Sequence, residues 1–287
     1  MTITKVKAVD NVLSIYLDAA SGWEQWVMLS ADRHHDNVYC NRRFEKQQLE
    51  KAKERDAIIL DFGDLFCAMQ GKYDPRSSMD DIRAEDVGTD YLDRIVKHAA
   101  RDYAPFAKNW YLIGKGNHET NITKRHGTDL TSNLVHRLNA DHGASCHVGG
   151  YGGWVRFMVT INKTKRRSLK LKYHHGAGGG GPVTRGVIQT NRQAVYLPDA
   201  DIVVNGHTHD SWYVPLARER IGSTGKVYHD LIRFVRVPGY KDEYANGAGG
   251  FHIEKWRAPK PIGCAWLRLY LDMNNGPVQV EVVQDIV

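Results

Sequence analysis

The chain has 287 residues, is 42% hydrophobic and 25% charged, and carries a formal net charge of +6. That balance is close to the globular average and excludes a disordered or collagen-like chain. The sequence pI of about 9.0 favours an anionic partner but does not by itself identify nucleic acid, because the excess charge is spread along the chain.

No apolar run is long enough to cross a membrane as a helix. The start, MTITKVKAVDNVL, has no apolar core of the kind a signal peptide needs. The expectation is a cytoplasmic protein with no membrane partner. Cys40, Cys67, Cys146 and Cys264 are scattered without a CxxC, which points to reduced thiols and away from a zinc ribbon or redox motif. No internal repeat or interdomain linker is visible, so residues 1–287 read as one domain.

In chain order, the first thirty residues hold two strands, around Val12–Leu17 and Trp26–Leu29. Asn41–Arg55 is a charged, helix-prone stretch whose sparse apolar face is Phe44, Leu49 and Ala52. Ala57–Leu60 is too short and too apolar for a helix and reads as a buried strand. Met79–Tyr103 reads as helical, with Ile82, Tyr91, Ile95 and Val96 inward. Trp110–Ile113 is a second short buried strand. Thr128–Ala140 has Leu130, Leu134, Val135 and Leu138 at helical spacing behind a Thr128 or Asp129 cap. Beyond it the chain turns to strands, at 154–161, 168–174, 201–205, 227–236, 264–271 and 277–284. Strands alternating with helices, then mostly strands, indicate an α/β protein with mixed sheets.

Five of these apolar strands run into polar clusters. WVMLS leads to Asp32-Arg33-His34, AIIL to Asp61-Phe62-Gly63-Asp64, and WYLI to Gly114-Lys115-Gly116-Asn117-His118-Glu119. LKLKY leads to His174-His175-Gly176, and DIVV to Asn205-Gly206-His207-Thr208-His209. In α/β sheets, sites form where the carboxyl ends of strands converge. Residues i and i+2 of extended backbone share a side, so His207 and His209 are expected to aim at one volume; a metal or a phosphate would suit the pair. The donors at the five ends are nitrogen and oxygen without a thiolate, which suits Mn, Fe or Zn with open positions and argues against a closed structural zinc. Asp32, His34, Asp64, Asn117, His175, His207 and His209 are too many for one ion. Two ions sharing a carboxylate, about 3.5–4 Å apart, would use them and suit displacement at phosphorus.

These residues, in this order, resemble the calcineurin-like metallophosphoesterases. The D-x-H, G-D-x-x-D, G-N-H-D/E, H and G-H-x-H signatures stand here as Asp32-Arg33-His34, Gly63-Asp64-Leu65-Phe66-Cys67, Gly116-Asn117-His118-Glu119, His175 and Gly206-His207-Thr208-His209. The resemblance implies a four-layer α/β/β/α sandwich of two mixed sheets and two divalent ions, Mn foremost, with Fe, Zn or Ni as alternatives. One ion would be held by Asp32, His34, Asp64 and His209. The other would be held by Asp64, Asn117, His175 and His207. His118 would face the leaving-group oxygen as general acid, and the nucleophile would be a hydroxide bridging the ions.

Two positions depart from the pattern. Cys67 replaces the closing acid of G-D-x-x-D, which in the family supports a ligand. The fourth motif is doubled, with His175 chosen as ligand by its following glycine and His174 read as packing or support. Glu119 is read as a further supporting residue.

The metal motifs fix a reaction class and leave the substrate open. The segment at about 72–103 is expected to be a helical cap insertion. Within it Arg76 could clamp a phosphate or be an exposed structural arginine. The glycine-rich loop 176–182 and Arg185 beyond it could meet an anion or be surface. The ring-bearing stretch 240–250 could line the cleft. Lys163-Thr164-Lys165-Arg166-Arg167 is the one local basic cluster and reads as a solvated hairpin tip. The Gly-Asp-Leu-Phe wording resembles the DNA-repair exonuclease branch, and short relatives of this kind are similar to phosphoesterases encoded by tailed phages. The expectation is therefore a phosphodiesterase with DNA or nucleotides as candidate substrate, in a bacterial or phage-infected cytoplasm. The alternatives are a phosphomonoesterase and a non-catalytic scaffold.

Overall fold

The computed structural model describes residues 3–70, 77–179, 181, 183–244, 247, 251–254, 256–272 and 276–287. Two mixed sheets lie face to face. The first has seven strands: β1 (Ile3–Val9), β2 (Val12–Ala19), β7 (Gly152–Ile161), β8 (Lys165–His174), β9 (Ile202–Asn205), β11 (Val227–Arg236) and β10 (Trp212–Ile221), in that spatial order. The second has six: β13 (Val278–Ile286), β12 (Gly263–Leu271), β3 (Glu24–Ser30), β4 (Ile58–Asp61), β5 (Trp110–Ile113) and β6 (His147–Val148). The β2–β7, β8–β9 and β9–β11 pairs are parallel, as are β3–β4, β4–β5 and β5–β6.

Period-two alternation builds the space between the sheets. Leu13, Ile15 and Leu17 of β2, Val155, Phe157 and Val159 of β7 and Leu171 of β8 meet Val27, Leu29, Leu60 and Leu267 from the other sheet in one dry cluster. The six-stranded sheet is covered on its outer face by α1 (Arg42–Glu54), α2 (Tyr91–Tyr103) and α4 (Leu130–His142). Leu49, Ala52, Ile95, Val96, Leu134 and Leu138 pack there on Met28, Ile59, Ile113 and Trp266. On the outer face of the seven-stranded sheet, α5 (Ile188–Tyr196) covers only one side, where Ala194 and Leu197 pack against Val203, Ile232 and Phe234. The result is the expected α/β/β/α layering, with one outer layer partial.

Several elements differ from the sequence expectation. β1 and β10 were not expected as strands. β10 is an edge strand of alternating half-buried and exposed residues, and Pro215 within it is tolerated because an edge strand has one row of backbone groups facing solvent. The helix α3 (Asn117–His126) begins inside the polar cluster that read as a loop, and buries only Glu119 and Ile122, so it has no apolar stripe to detect. α5 has the same failing, with only Thr190 buried. α2 starts at Tyr91, after a short 3₁₀ turn at Ala84–Asp86. Of the segment at about 72–103, residues 72–76 lie outside the described ones. The turn between β7 and β8 is a tight hairpin with Asn162 and Lys163 at φ 48° and 63° and Thr164 N–H donating to Ile161 O at 3.1 Å. That pair of positive φ values is the type I′ geometry whose twist matches the flanking strands. Among the described residues, no helix is long and apolar enough to cross a membrane.

Candidate metal centre

The five polar turns come together at one end of the sandwich. Backbone bonds carry the β3–β4 pairing past the strand ends: Asp32 N–H donates to Gly63 O (2.9 Å), His34 N–H to Asp64 O (3.1 Å) and His35 N–H to Leu65 O (2.8 Å). Gly206 N–H donates to His175 O (2.8 Å) and fixes the β8 and β9 turns to each other. The two sheets are tied at this end by His207 N–H donating to Asp32 Oδ2 at 2.7 Å.

Five of the seven expected ligands sit in left-handed backbone. The φ values are 53° for Asp32, 46° for His34, 53° for Asp64, 74° for His207 and 54° for His209. Each such non-glycine conformation costs on the order of 1 kcal/mol or more and persists only where surroundings enforce it. This corrects the extended-backbone argument for the last motif. The strand ends at Asn205, and both histidines lie beyond it with positive φ. Instead of filling one volume they part: His209 joins Asp32 and His34, while His207 joins Asp64 and His175.

In each of these two triads the ligand atoms all lie within 4.8 Å of one another. His209 Nε2 is 3.4 Å from Asp32 Oδ1. His175 Nε2 is 3.1 Å from Asp64 Oδ2 and 3.9 Å from Asp32 Oδ1, so it stands between the triads. Asn117 Oδ1 lies 3.2 Å from the same His175 nitrogen. All seven expected ligands are thus gathered in one place. Asp32, His34, Asp64 and His175 are buried and form the floor, while Asn117, His118, His207 and His209 are half-buried at the rim.

The donors suit divalent cations. Among the described residues, the buried Asp32 Oδ1 accepts no hydrogen bond and the buried His34 Nδ1 makes none, although buried polar atoms are nearly always paired. His175 Nδ1 lies 3.1 Å from Phe62 O. A proton there, donated to that carbonyl, leaves Nε2 as the nitrogen turned toward the carboxylates, the outer-contact pattern that orients metal-binding histidines. Burial pushes His34 well below the usual histidine range, helped by His118 and His209. It is therefore neutral, as a ligand must be. Burial acts on His175 in the same sense, yet Asp64 and Asp32 outweigh it and raise it to about 10. For Asp64, burial favours the neutral acid but His175 and His118 hold it well below the usual carboxylate range. The pair of buried carboxylates calls for positive charge.

His118 stands beside the triads without completing either. Its backbone N–H donates to Asp64 Oδ1 (2.9 Å), its Nδ1 is 2.6 Å from Cys67 O, and its Nε2 faces Asp64 Oδ2 at 3.8 Å. Cys67 is buried, with its thiol 3.3 Å from Asn37 Nδ2. Its ligand atom also lies within reach of His34 and His118, but burial pushes the thiol far up, so it holds its proton. The turn's missing acid has a counterpart that the sequence reading did not find. Asp36 accepts from Cys67 N–H, Ala68 N–H (2.7 Å) and the Tyr91 hydroxyl (2.8 Å). Glu119 lies behind Asp64 and accepts from the N–H groups of Asp64 (3.1 Å), Phe66 (2.9 Å) and Gly116 (2.8 Å). Burial and the neighbouring Asp64 push it up to about 8.

His174 belongs to neither triad. Its Nδ1 accepts from Gly176 N–H (3.0 Å), and its ring packs edge-on to Tyr151. Tyr151 also packs edge-on to His175 and donates its hydroxyl to Gly176 O. Arg185 is exposed, and its backbone carbonyl accepts from Trp212 Nε1 at 3.1 Å. Arg76 lies outside the described residues, as do several of 240–250. Arg236 was also missed: it is buried at the end of β11 and donates from Nη1 to Gly206 O at 2.6 Å, pinning the turn that carries His207. Nothing in the local pattern of FVRVPG marks it, because its role comes from the β9–β11 pairing.

No family model matches the chain, and no curated protein matches it. Solved structures do match. One is a conserved uncharacterised protein, a predicted phosphoesterase, from Streptococcus pneumoniae, at 10% identity and TM-score 0.33, covering 91% of this chain and 98% of that one. A Thermotoga maritima protein solved in solution by NMR aligns at 13% identity and TM-score 0.31, covering 90% and 98%. GAP50, the anchor in the inner membrane complex of Plasmodium, aligns at 12% identity and TM-score 0.42, covering 91% and 84%. Superpositions this loose add nothing to what the triads and the layering show by themselves.

Proposed function

We propose that the protein is a metal-dependent phosphoester hydrolase of the calcineurin-like type, acting on phosphodiesters through a two-ion centre. The observation that carries this reading is the pair of triads, Asp32–His34–His209 and Asp64–His175–His207, set side by side with His175 between the two carboxylates. One ion would be held by Asp32, His34, Asp64 and His209, and the other by Asp64, Asn117, His175 and His207. Mn is the first choice for such a nitrogen and oxygen set. Ions bound there supply Lewis acidity toward a phosphoryl oxygen and lower the pKa of water at the site.

The chain's own residues then have separable tasks. Glu119 and Asp36 hold the 64–68 turn, so the Asp64 carboxylate enters the site at a fixed angle. Phe62 O and Tyr151 fix the ring of His175. His118, with Nδ1 engaged by Cys67 O, has Nε2 as the atom that holds a proton toward the leaving oxygen, a general-acid role. Arg185, exposed beyond the glycine-rich loop, would meet non-bridging substrate oxygens.

The test is metal content per chain by mass spectrometry on protein purified without chelator, alongside initial rates on bis-p-nitrophenyl phosphate and p-nitrophenyl phosphate. Two ions per chain, faster hydrolysis of the diester, loss of turnover in EDTA and recovery in Mn are expected. Faster hydrolysis of the monoester would move the substrate class to phosphomonoesters. A metal-free chain inert to both would remove the enzymatic reading.

A further inference from the structure

The outer face of the seven-stranded sheet is only partly covered, and the open part is strongly basic. α5 packs over β9, β10 and β11, and its cluster reaches Trp154 near the start of β7; among the described residues, β1, β2, the rest of β7 and the start of β8 carry no helix. On these strands the inward residues are fixed by the core: Leu13, Ile15 and Leu17, then Val155, Phe157 and Val159, then Leu171 and Tyr173. The alternate residues therefore face out. Register then places Lys7 beside Ser14, Ser14 beside Arg156 and Arg156 beside Lys170. Neighbouring strands are about 4.8 Å apart, so this row spans about 14 Å. Lys5 extends the patch along β1, and Arg166 and Lys172 extend it along β8. Against these six cations the same outward positions carry one acid, Asp18, and Lys170 also pairs at 3.8 Å with Asp199 beyond the strand.

Aromatic rings are interleaved with the charges. Lys5 Nζ lies 5.9 Å from the Tyr16 ring centroid, and Lys172 Nζ lies 5.3 Å from that of Trp154; both rings are half-buried. Cations that track phosphates beside rings that stack bases are how proteins hold single strands. The direction of β8 adds a second point. Arg166, Lys170, Lys172 and His174 share its outward side, and His175, one residue on, stands between the two triads. The basic face therefore leads to the rim of the candidate metal centre.

We propose that this open sheet face binds single-stranded nucleic acid and feeds it along β8 toward the site. That the bound strand is also the substrate rests on the phosphodiesterase reading above; the binding itself does not.

The experiment is fluorescence anisotropy with a labelled DNA single strand of about 30 nucleotides, long enough for several contacts, in EDTA across a salt series. The wild type is compared with the triple variant Lys7→Glu/Arg156→Glu/Lys170→Glu and with the milder triple alanine variant, each checked by far-UV circular dichroism. The expected result is at least tenfold weaker binding by the glutamate variant. Removing three phosphate contacts should flatten the log–log salt slope by about 2 in either variant. Hydrolysis of bis-p-nitrophenyl phosphate in Mn should stay at the wild-type rate in both, while hydrolysis of the labelled strand falls. Wild-type binding by the variants, tighter binding of a duplex of the same length, or binding of phosphatidylserine vesicles but not DNA would each overturn the proposal. DNA binding through this face by a chain that does not cleave the small diester would support the binding proposal and count against the enzymatic one.

Discussion

His118 and Glu45 show two different uses of a polar side chain near the same turns. His118 contacts Asp64 through its own backbone N–H and has its ring turned by Cys67 O, so the ring belongs to neither ligand triad. Replacing it by alanine should therefore keep Mn binding within a factor of about three by calorimetry. Hydrolysis of diesters with poor leaving groups should slow by about 10²–10⁴, the usual weight of a general acid. Loss of metal in that variant would mean that the ring is itself a ligand. Glu45 works on the far side of the same loop. Arg33, fully buried, donates to Glu45 (2.9 Å), Asp61 (2.8 Å) and Ser30 (2.8 Å), and lies near the rings of Trp110 and Tyr240. Burial alone would raise Glu45, but His35, Arg33 and the Tyr103 hydroxyl bring it down to about 2. A carboxylate held low contributes stability above its unfolded pKa, near 4.5, and loses it as pH falls through about 2. The size is about 3 kcal/mol. Glu45→Gln should flatten the pH dependence of the urea midpoint between pH 4.5 and 2. It should also cost about 3–5 kcal/mol at pH 7, because Arg33 is left buried without a full complement of charge. An unchanged acid limb in that variant would show that Glu45 is not the titrating group.

At the scale of elements, the strand-end turns work only because backbone can approach backbone there. A Cβ added at Gly206 would stand 2.6 Å from Asp32 Oδ2 and 2.6 Å from Ala31 Cβ, and one at Gly116 would overlap the Asp64 carboxylate. Gly206→Ala is expected to keep the far-UV spectrum and weaken Mn binding about 10–100-fold, the range seen when a ligand's support is disturbed. Wild-type affinity there would show that the turn gives way freely. These turns also explain what could be read from sequence. Short apolar strands ending in Asp, Asn and His were legible as a convergent site because the strand ends and donor types are local facts. The left-handed backbone that separates His207 from His209 was not, since nothing in Gly-His-Thr-His marks φ at a histidine. Asp36 was invisible for a related reason: its partners are the N–H groups of Cys67 and Ala68, which only the β3–β4 pairing brings near. The helices were legible where they bury a stripe, as in α4, and illegible where they are polar almost all round, as in α3 and α5. The charge pattern was legible only in part, because the sequence shows its hairpin tip but not which strands lie side by side. The basic turn after β7 is a hairpin tip, whereas the basic face is assembled from β1, β7 and β8 across the sheet.

For the whole molecule, the candidate centre lies where the two sheets meet. Asp32, Asp64 and Asn117 come from turns after β3, β4 and β5 of one sheet, and His175, His207 and His209 from turns after β8 and β9 of the other. In the protein itself, His207 N–H to Asp32 Oδ2 and the His175 ring against Phe62 O join the sheets at this end. A cation held by both sets would add a bond between the layers that the unfolded chain cannot make, so its binding energy becomes folding stability. At a free ion concentration one hundred times the dissociation constant the gain is about 2.7 kcal/mol per site. With about 2–4 °C per kcal/mol for a chain approaching this size, melting should rise by roughly 5–10 °C per ion between EDTA-treated protein and protein returned to Mn. Asp64→Ala removes the one donor assigned to both ions, so most of that rise should vanish, while Cys146→Ala, at a buried thiol that belongs to neither triad, should keep it. Identical melting in EDTA and in Mn for the wild type would mean that the triads do not bind metal tightly enough to couple the sheets, and the proposed centre would have to be abandoned.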